Sequence, residues 1–132
     1  MTMSKLIEVI RNKPNFYAEK GAFALQIEQA EKLLKLNFAL DFKECLCEFG
    51  AVSVDGHELT GFSADKNLDV VNVTLNERMK NPNVPNDWYV IEQANIDGIV
   101  IWQNQKGEIF QTQPYCDSIK IANSIVEYIT LT

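Results

Sequence analysis

The sequence predicts an α+β fold, a twisted and mainly antiparallel sheet flanked by helices. Three observations lead there. Apolar residues recur at helical spacing through the first half, β-branched and aromatic runs separated by Asp-Gly and Gly turns fill the second, and a helical stripe returns at the C-terminal end. The 132 residues suit one domain. We take residues 1–132 as that unit, with 1–22 an N-terminal helix and loop and 23–132 the core. Hydrophobic residues make up 46% and charged residues 23%, ordinary values that exclude disordered, collagen-like and disulfide-scaffold chains.

The first helix is expected over residues 3–12, with Leu6, Val9 and Ile10 on one face, Met3 extending it and Ser4 as its N-cap. Pro14 stops it. Residues 15–21 are polar apart from Phe16 and Tyr17 and read as a loop, with Gly21 its tight point. Ile27, Ala30 and Leu34 place a second helix over 24–34. Phe42, Cys45, Leu46 and Phe49 form the stripe of a third over 41–49, with Asp41 as N-cap and Gly50 just past its end. Ala51, Val52 and Val54 then lead into Asp55-Gly56, a strong hairpin signal, and 58–62 reads as the return strand. After a polar loop over 63–68, a helix is expected over 73–80, capped by Asn72 and closed by Pro82 and Pro85. Strands over 88–92, 99–103 and 108–111, separated by Asp97-Gly98 and by Gln105-Lys106-Gly107, describe an antiparallel meander. The last element is expected to be one helix over 118–131, capped by Asp117 or Ser118. Ile119, Ala122, Val126 and Ile129 form one stripe and Ile121, Ile125 and Tyr128 a second.

Charge and rare residues limit the chemistry. Asp and Glu number 18 against 12 Lys and Arg, a net charge of −6, which suits a basic partner and not the wrapping of nucleic acid. His57 is the one histidine, so any triad would run through it, yet no nucleophile elbow accompanies it and we expect no enzyme. In a turn it reads as a turn or surface residue. Three cysteines cannot complete an internal disulfide framework. Cys45 and Cys47, two apart on a helix, point away from each other and cannot pinch a metal; Cys45 belongs to the core, and Cys116 to a loop. No cofactor or metal is expected. Gly50, Gly56 and Gly61 fit no phosphate-binding loop and read as a helix stop, a turn and a strand bend. The segment MTMSKLIEVIRNK does not read as a signal peptide, and no apolar run approaches the length of a membrane helix, so a cytoplasmic location is expected.

The segment FKECLCEFGAVSVDGHELTGF, from Phe42 to Phe62, resembles the signature of the SUKH superfamily, which includes yeast cell-wall assembly regulators and many bacterial immunity proteins. Its pattern is matched by Phe49-Gly50, the strand around Val52 to Val54, the Asp55-Gly56 turn, His57-Glu58 and Gly61. Downstream, Val70-Val71, Thr74 and Arg78 resemble the family's next helix. Val90-Ile91, Asp97-Gly98 and Gly107 resemble its later strands and turns, and Val126 to Ile129 its closing helix. The likeness runs from about Ile27 to Leu131. Phe38-Ala39 stands where the family often has Leu-Pro.

The resemblance implies a binding role: an immunity protein, or antitoxin, that blocks a cognate toxin domain such as a nuclease by direct contact. The partner would be a protein with a basic surface, with no direct nucleic-acid or membrane role. The alternatives are a regulatory adaptor without a toxin and, from another class, an enzyme using His57. Candidate partner-binding residues are Asp55, His57, Glu58, Asp65, Asp69, Asp87, Trp88 and Asp97. Carboxylates of the second half, Glu77 included, read as a solvated face or, more sharply, as a rim that steers a basic toxin. Trp88 reads as a partly exposed anchor and Trp102 as core.

Overall fold

The computed structural model describes residues 5–131. The expected positions of Met3 and Ser4 lie outside them. The chain forms α1 (Lys5–Arg11), β1 (Tyr17–Lys20), α2 (Ala24–Leu34), α3 (Leu40–Glu48), β2 (Phe49–Val54), β3 (His57–Leu59), α4 (Val70–Lys80), β4 (Tyr89–Gln93), β5 (Val100–Gln103), β6 (Ile109–Thr112), β7 (Ile119–Ala122) and α5 (Ile125–Thr130). The strands make two antiparallel sheets, ordered β1-β2-β3 and β4-β5-β6-β7. The fold is α+β, as the sequence predicts.

Strands β4 and β5 of the second sheet are buried on both faces, and their alternation shows how. Tyr89 and Ile91 of β4, Ile101 of β5 and Ile109 of β6 face the main core, which they share with α1, α2, α3, α5 and β2. Val90, Val100 and Trp102 face the other way and join Val73 of α4 and Trp88 in a second cluster. Trp88 stacks on Phe110 with ring centroids 4.1 Å apart. The Trp102 indole N–H donates to Thr112 Oγ1 at 2.9 Å, which satisfies the polar atom of a wholly buried side chain. Arg78 on α4 donates to the Leu34 carbonyl at the end of α2 and to the Asn86 and Trp88 carbonyls, so it fixes the approach to β4.

Several expectations are corrected. Residues 17–20 form a strand, not a loop: β1 is too short and polar to show alternation, and its pairing with β2 creates it. Helix α3 starts one residue early and is not capped by Asp41, and Phe49 and Gly50 already belong to β2, so Gly50 stops no helix. Its hydrogen-only side chain has a different use. A Cβ on Gly61 would lie 2.5 Å from the Gly50 carbonyl, so the β2 backbone and the exit of β3 pass in contact. Helix α4 begins at Val70, and its cap is the Asp69 carboxylate, which accepts from the Asn72 N–H. The expected C-terminal helix is divided. Residues 119–122 pair with β6 as a strand, and only 125–130 are helical, started by Ser124, whose Oγ accepts from the Glu127 N–H. Glu77 is buried, where its carboxylate accepts from Gln93 Nε2 at 2.6 Å, and is not part of a solvated face. The Asp55-Gly56 turn is as expected: positive φ at both residues (49° and 81°) gives the twist that a two-residue hairpin needs.

Asp41 is the link between α3 and the C-terminal half. It accepts from Gln103 Nε2 at 3.0 Å and from the Ile125 N–H at 3.1 Å. Gln103 Oε1 in turn accepts from the Tyr89 hydroxyl at 2.6 Å, which itself accepts from the Ala39 N–H. Burial holds the Asp41 carboxyl above its usual range, against the opposing effect of those two donors.

Two predictions follow from these contacts. Gly61→Ala forces backbone apart and costs about 2–3 kcal/mol, whereas Gly56→Ala, with open space but a positive φ, costs about 1 kcal/mol. Urea unfolding of both variants measures the difference. Asp41→Asn loses one of two acceptor contacts and costs about 1–3 kcal/mol at neutral pH. A raised folded-state pKa means the native protein gains stability as pH falls from above that pKa toward the unfolded value. The gap between native and Asn proteins therefore widens on acidification through the carboxylate range, read from unfolding curves at pH 7 and near pH 4.

Candidate functional site

The hairpin β2–β3 is attached to the second sheet through Glu92, a buried carboxylate on β4. Its Oε1 accepts from the Tyr128 hydroxyl of α5 at 2.5 Å and lies 2.9 Å from His57 Nδ1, and its Oε2 accepts from the Glu58 N–H at 2.7 Å. The Nδ1–H tautomer of His57 satisfies this contact, and the imidazole packs on the Tyr128 ring with centroids 4.9 Å apart. Burial, and then the neighbouring Glu92 charge, raise the Tyr128 phenol far above its usual range, which keeps it a donor. One step along the strand, Thr60 donates from its N–H to the Ile91 carbonyl and from Oγ1 to the Val90 carbonyl.

This attachment turns the Glu58 side chain outward. Glu58, Thr60, Asp65, Asn67, Leu68, Gln93 and Asn95 line a polar groove of about 320 Å³ between β3, the 63–68 loop and the end of β4. The loop is shaped by its own side chains: Asp65 accepts from the Asn67 N–H, and Ser63 Oγ accepts from the Asp65 N–H. The groove therefore offers two carboxylates and three carboxamides, a set able to receive cationic and amide side chains.

The other expected positions scatter. Asp55 lies at the hairpin tip with its carboxylate 3.0 Å from Lys13 Nζ. Asp69 caps α4 and also accepts from the Ser63 N–H, and so serves the fold. Asp97 is exposed in the β4–β5 turn, two residues after Asn95 of the groove. Asp87 is exposed before the opposite end of β4, about 20 Å from Gln93 at strand spacing. Trp88 is 7% exposed and stacked on Phe110, so the expectation of a partly exposed anchor does not hold. His57 is not simply a turn residue, because it is half inside and tied to Glu92. Cys45 is buried, with its thiol pushed up to about 12, first by burial and then by the Asp41 charge; Cys47 and Cys116 are exposed. Among the described residues no group of three or more His, Cys, Asp or Glu side chains is placed to hold a metal ion. No helix there is long and apolar enough to cross a membrane.

Sequence reasoning missed Glu92, Asn67, Gln93 and Asn95. A lone carboxylate in the run Tyr-Val-Ile-Glu-Gln was a usable signal for Glu92, since a charge inside an apolar strand needs partners. The amides carried no such signal, because only the turns bring them together.

Residues 3–130 match the family model SUKH_5, described as SMI1-KNR4 cell-wall. No curated protein matches the chain.

Tyr128→Phe removes one of the donors to a buried charge and costs about 1–3 kcal/mol, and Glu92→Gln, which disturbs all three, costs about 2–4 kcal/mol. In a double-mutant cycle by urea unfolding the two effects fall well short of adding, because they share one contact.

Proposed function

Because the chain belongs to the SMI1-KNR4 cell-wall family of the SUKH superfamily, we propose that it is an immunity protein that binds and blocks a cognate toxin domain by direct contact. Bacterial members of the superfamily typically have that role. The observation that carries the reading beyond the family is the groove of Glu58 and Asp65, in which two carboxylates and three carboxamides meet and the Glu58 backbone is held by Glu92. Such a surface suits Lys and Arg side chains of the kind that a nuclease uses to hold phosphate. His57, committed to Glu92 and Tyr128, supports the groove and performs no proton transfer. The protein acts in the cytoplasm, where its target would otherwise reach nucleic acid. No cofactor enters this mechanism.

The test is co-expression with the toxin domain encoded beside this gene. The native chain restores growth and forms a complex, while Glu58→Lys with Asp65→Lys slows association on the order of tenfold, with a strong salt dependence, and Glu58→Lys alone, which breaks no side-chain bond among the described residues, slows it less and leaves urea stability nearly unchanged. Continued killing in the presence of abundant folded native protein overturns the reading. A gene neighbourhood without a toxin, together with a cellular protein bound by the same groove, favours the regulatory adaptor.

A further inference from the structure

The groove occupies only part of its end of the molecule. Gln93 pairs with Val100, and Val100 with Thr112, so the β4–β5 turn and the β6–β7 loop leave the second sheet at the same end. Gly98 of that turn lies against the Pro114 ring of that loop. Asn95 of the same turn lines the groove. The groove, the turn and the loop therefore form one continuous edge.

Tyr115 stands at the tip of this edge. Its side chain is fully exposed (107%) and touches no ring, while its backbone sits at φ +66°, a conformation that a bulky residue rarely adopts. The other tyrosines have visible uses or lesser exposure. Tyr89 and Tyr128 are buried hydrogen-bonding residues, and Tyr17, on β1, is 70% exposed. Ile96 is exposed in the facing β4–β5 turn, two residues before Gly98. A polar recess of about 330 Å³ lies under the loop, running from Lys80 to Val84 on one side and from Thr112 to Ser118 on the other. Asp117 lines the recess with the tyrosine, Asp97 stands next to Gly98 in the facing turn, and Lys80 is the basic residue lining the recess.

We infer that Tyr115, with Ile96 on the same edge, is the apolar anchor of the partner interface, and that it inserts into an apolar socket rimmed by Lys or Arg on the bound protein. The inference rests on the immunity reading and deepens it. A tyrosine supplies a large contact area with few rotatable bonds, and such residues dominate interface energies when they are desolvated at the centre of a patch. The carboxylates of this edge, Asp97 and Asp117 here and Glu58 and Asp65 in the groove, call for a basic rim. They also disfavour an anionic membrane surface and a second copy of this acidic chain as the occupant. The division of labour is physical: exposed carboxylates speed the encounter, and the aromatic side chain slows departure.

The experiment measures binding of the full chain to the adjacent-gene toxin domain carrying an inactivating substitution. Tyr115→Ala weakens the complex on the order of thirtyfold, mainly through faster dissociation and equally at low and high salt. Ile96→Ser has a smaller effect in the same direction, and Tyr17→Ser none. Tyr115→Gly, which relieves the left-handed backbone, unfolds at a urea concentration no lower than the native chain and still loses binding, so a folding defect is not the cause. Binding within twofold of native for Tyr115→Ala, while Glu58→Lys with Asp65→Lys still loses it, overturns the anchor and leaves the groove reading in place. Absence of any complex with the native chain overturns both. Self-association of the native chain that Tyr115→Ala abolishes assigns the side chain to a second copy and overturns the proposal.

Discussion

Glu92 is the constraint on which the arrangement depends. The two sheets share no strand pairing, and the hairpin that carries Glu58 belongs to the first while Gln93 and the Asn95 turn facing it belong to the second. A carboxylate taken out of water is costly unless its oxygens are satisfied. Here the hydroxyl of α5, the imidazole of β3 and the Glu58 N–H satisfy it together. Hydrophobic contact is non-directional, so the burial of Leu59 and Val54 places the hairpin less narrowly than bonds to a fixed carboxylate do. Three directed hydrogen bonds to one side chain admit a single register. The Thr60 bonds to Val90 and Ile91 then repeat that register one step further on. Asp41 does the same work at the other end of α5, through the Ile125 N–H.

What was legible in the sequence follows from how local each signal is. Helix α2 was read to the residue, since Ile27, Ala30 and Leu34 bury one stripe and nothing distant intervenes. The β2–β3 turn was legible because Asp55-Gly56 states its own geometry. The final segment was misread because Ile119, Ala122, Val126 and Ile129 fit a helical period although the first two lie on a strand. A short strand and a short helix in succession can imitate one longer helix when both bury aliphatic residues. The break is at Asn123-Ser124, where Ser124 starts a helix that sequence reasoning had begun six residues early. β1 failed for the opposite reason: Tyr17-Ala18-Glu19-Lys20 has no pattern of its own, and its strand geometry comes from β2.

The candidate site was half legible. Glu58 and Asp65 were named for their charge and do share a groove, whereas Asp69 is occupied at a helix N-terminus and Trp88 inside a core cluster. A carboxylate in sequence says nothing of whether it faces solvent, a cap or a buried donor, because each use needs only one oxygen near an N–H or O–H. The family signature, by contrast, was legible from the order of turns and glycines, and two of those glycines, Gly50 and Gly61, stand where two backbones meet.

The net charge of −6 acquires a narrower meaning once each carboxylate is placed. Glu92, Glu77 and Asp41 are consumed by donors within the fold, Asp69 by a helix, and Glu48, Asp55 and Glu108 by Arg11, Lys13 and Lys120. The ion-paired carboxylates contribute little to the field that a partner meets at close range, since their counter-charges belong to this chain, and Glu92 and Glu77 are buried away from contact. At the groove end, the carboxylates without a counter-charge among the described residues are a smaller set, Glu58, Asp97 and Asp117, with Asp65 bound to the Asn67 N–H. Surface carboxylates in water give modest attraction apiece, and salt screens them within about 10 Å. Charges of that strength can orient a basic protein on approach but cannot hold it for long. An acidic edge of this kind therefore needs an uncharged contact to give a lasting complex, and on this molecule the same edge carries one in the exposed ring of Tyr115.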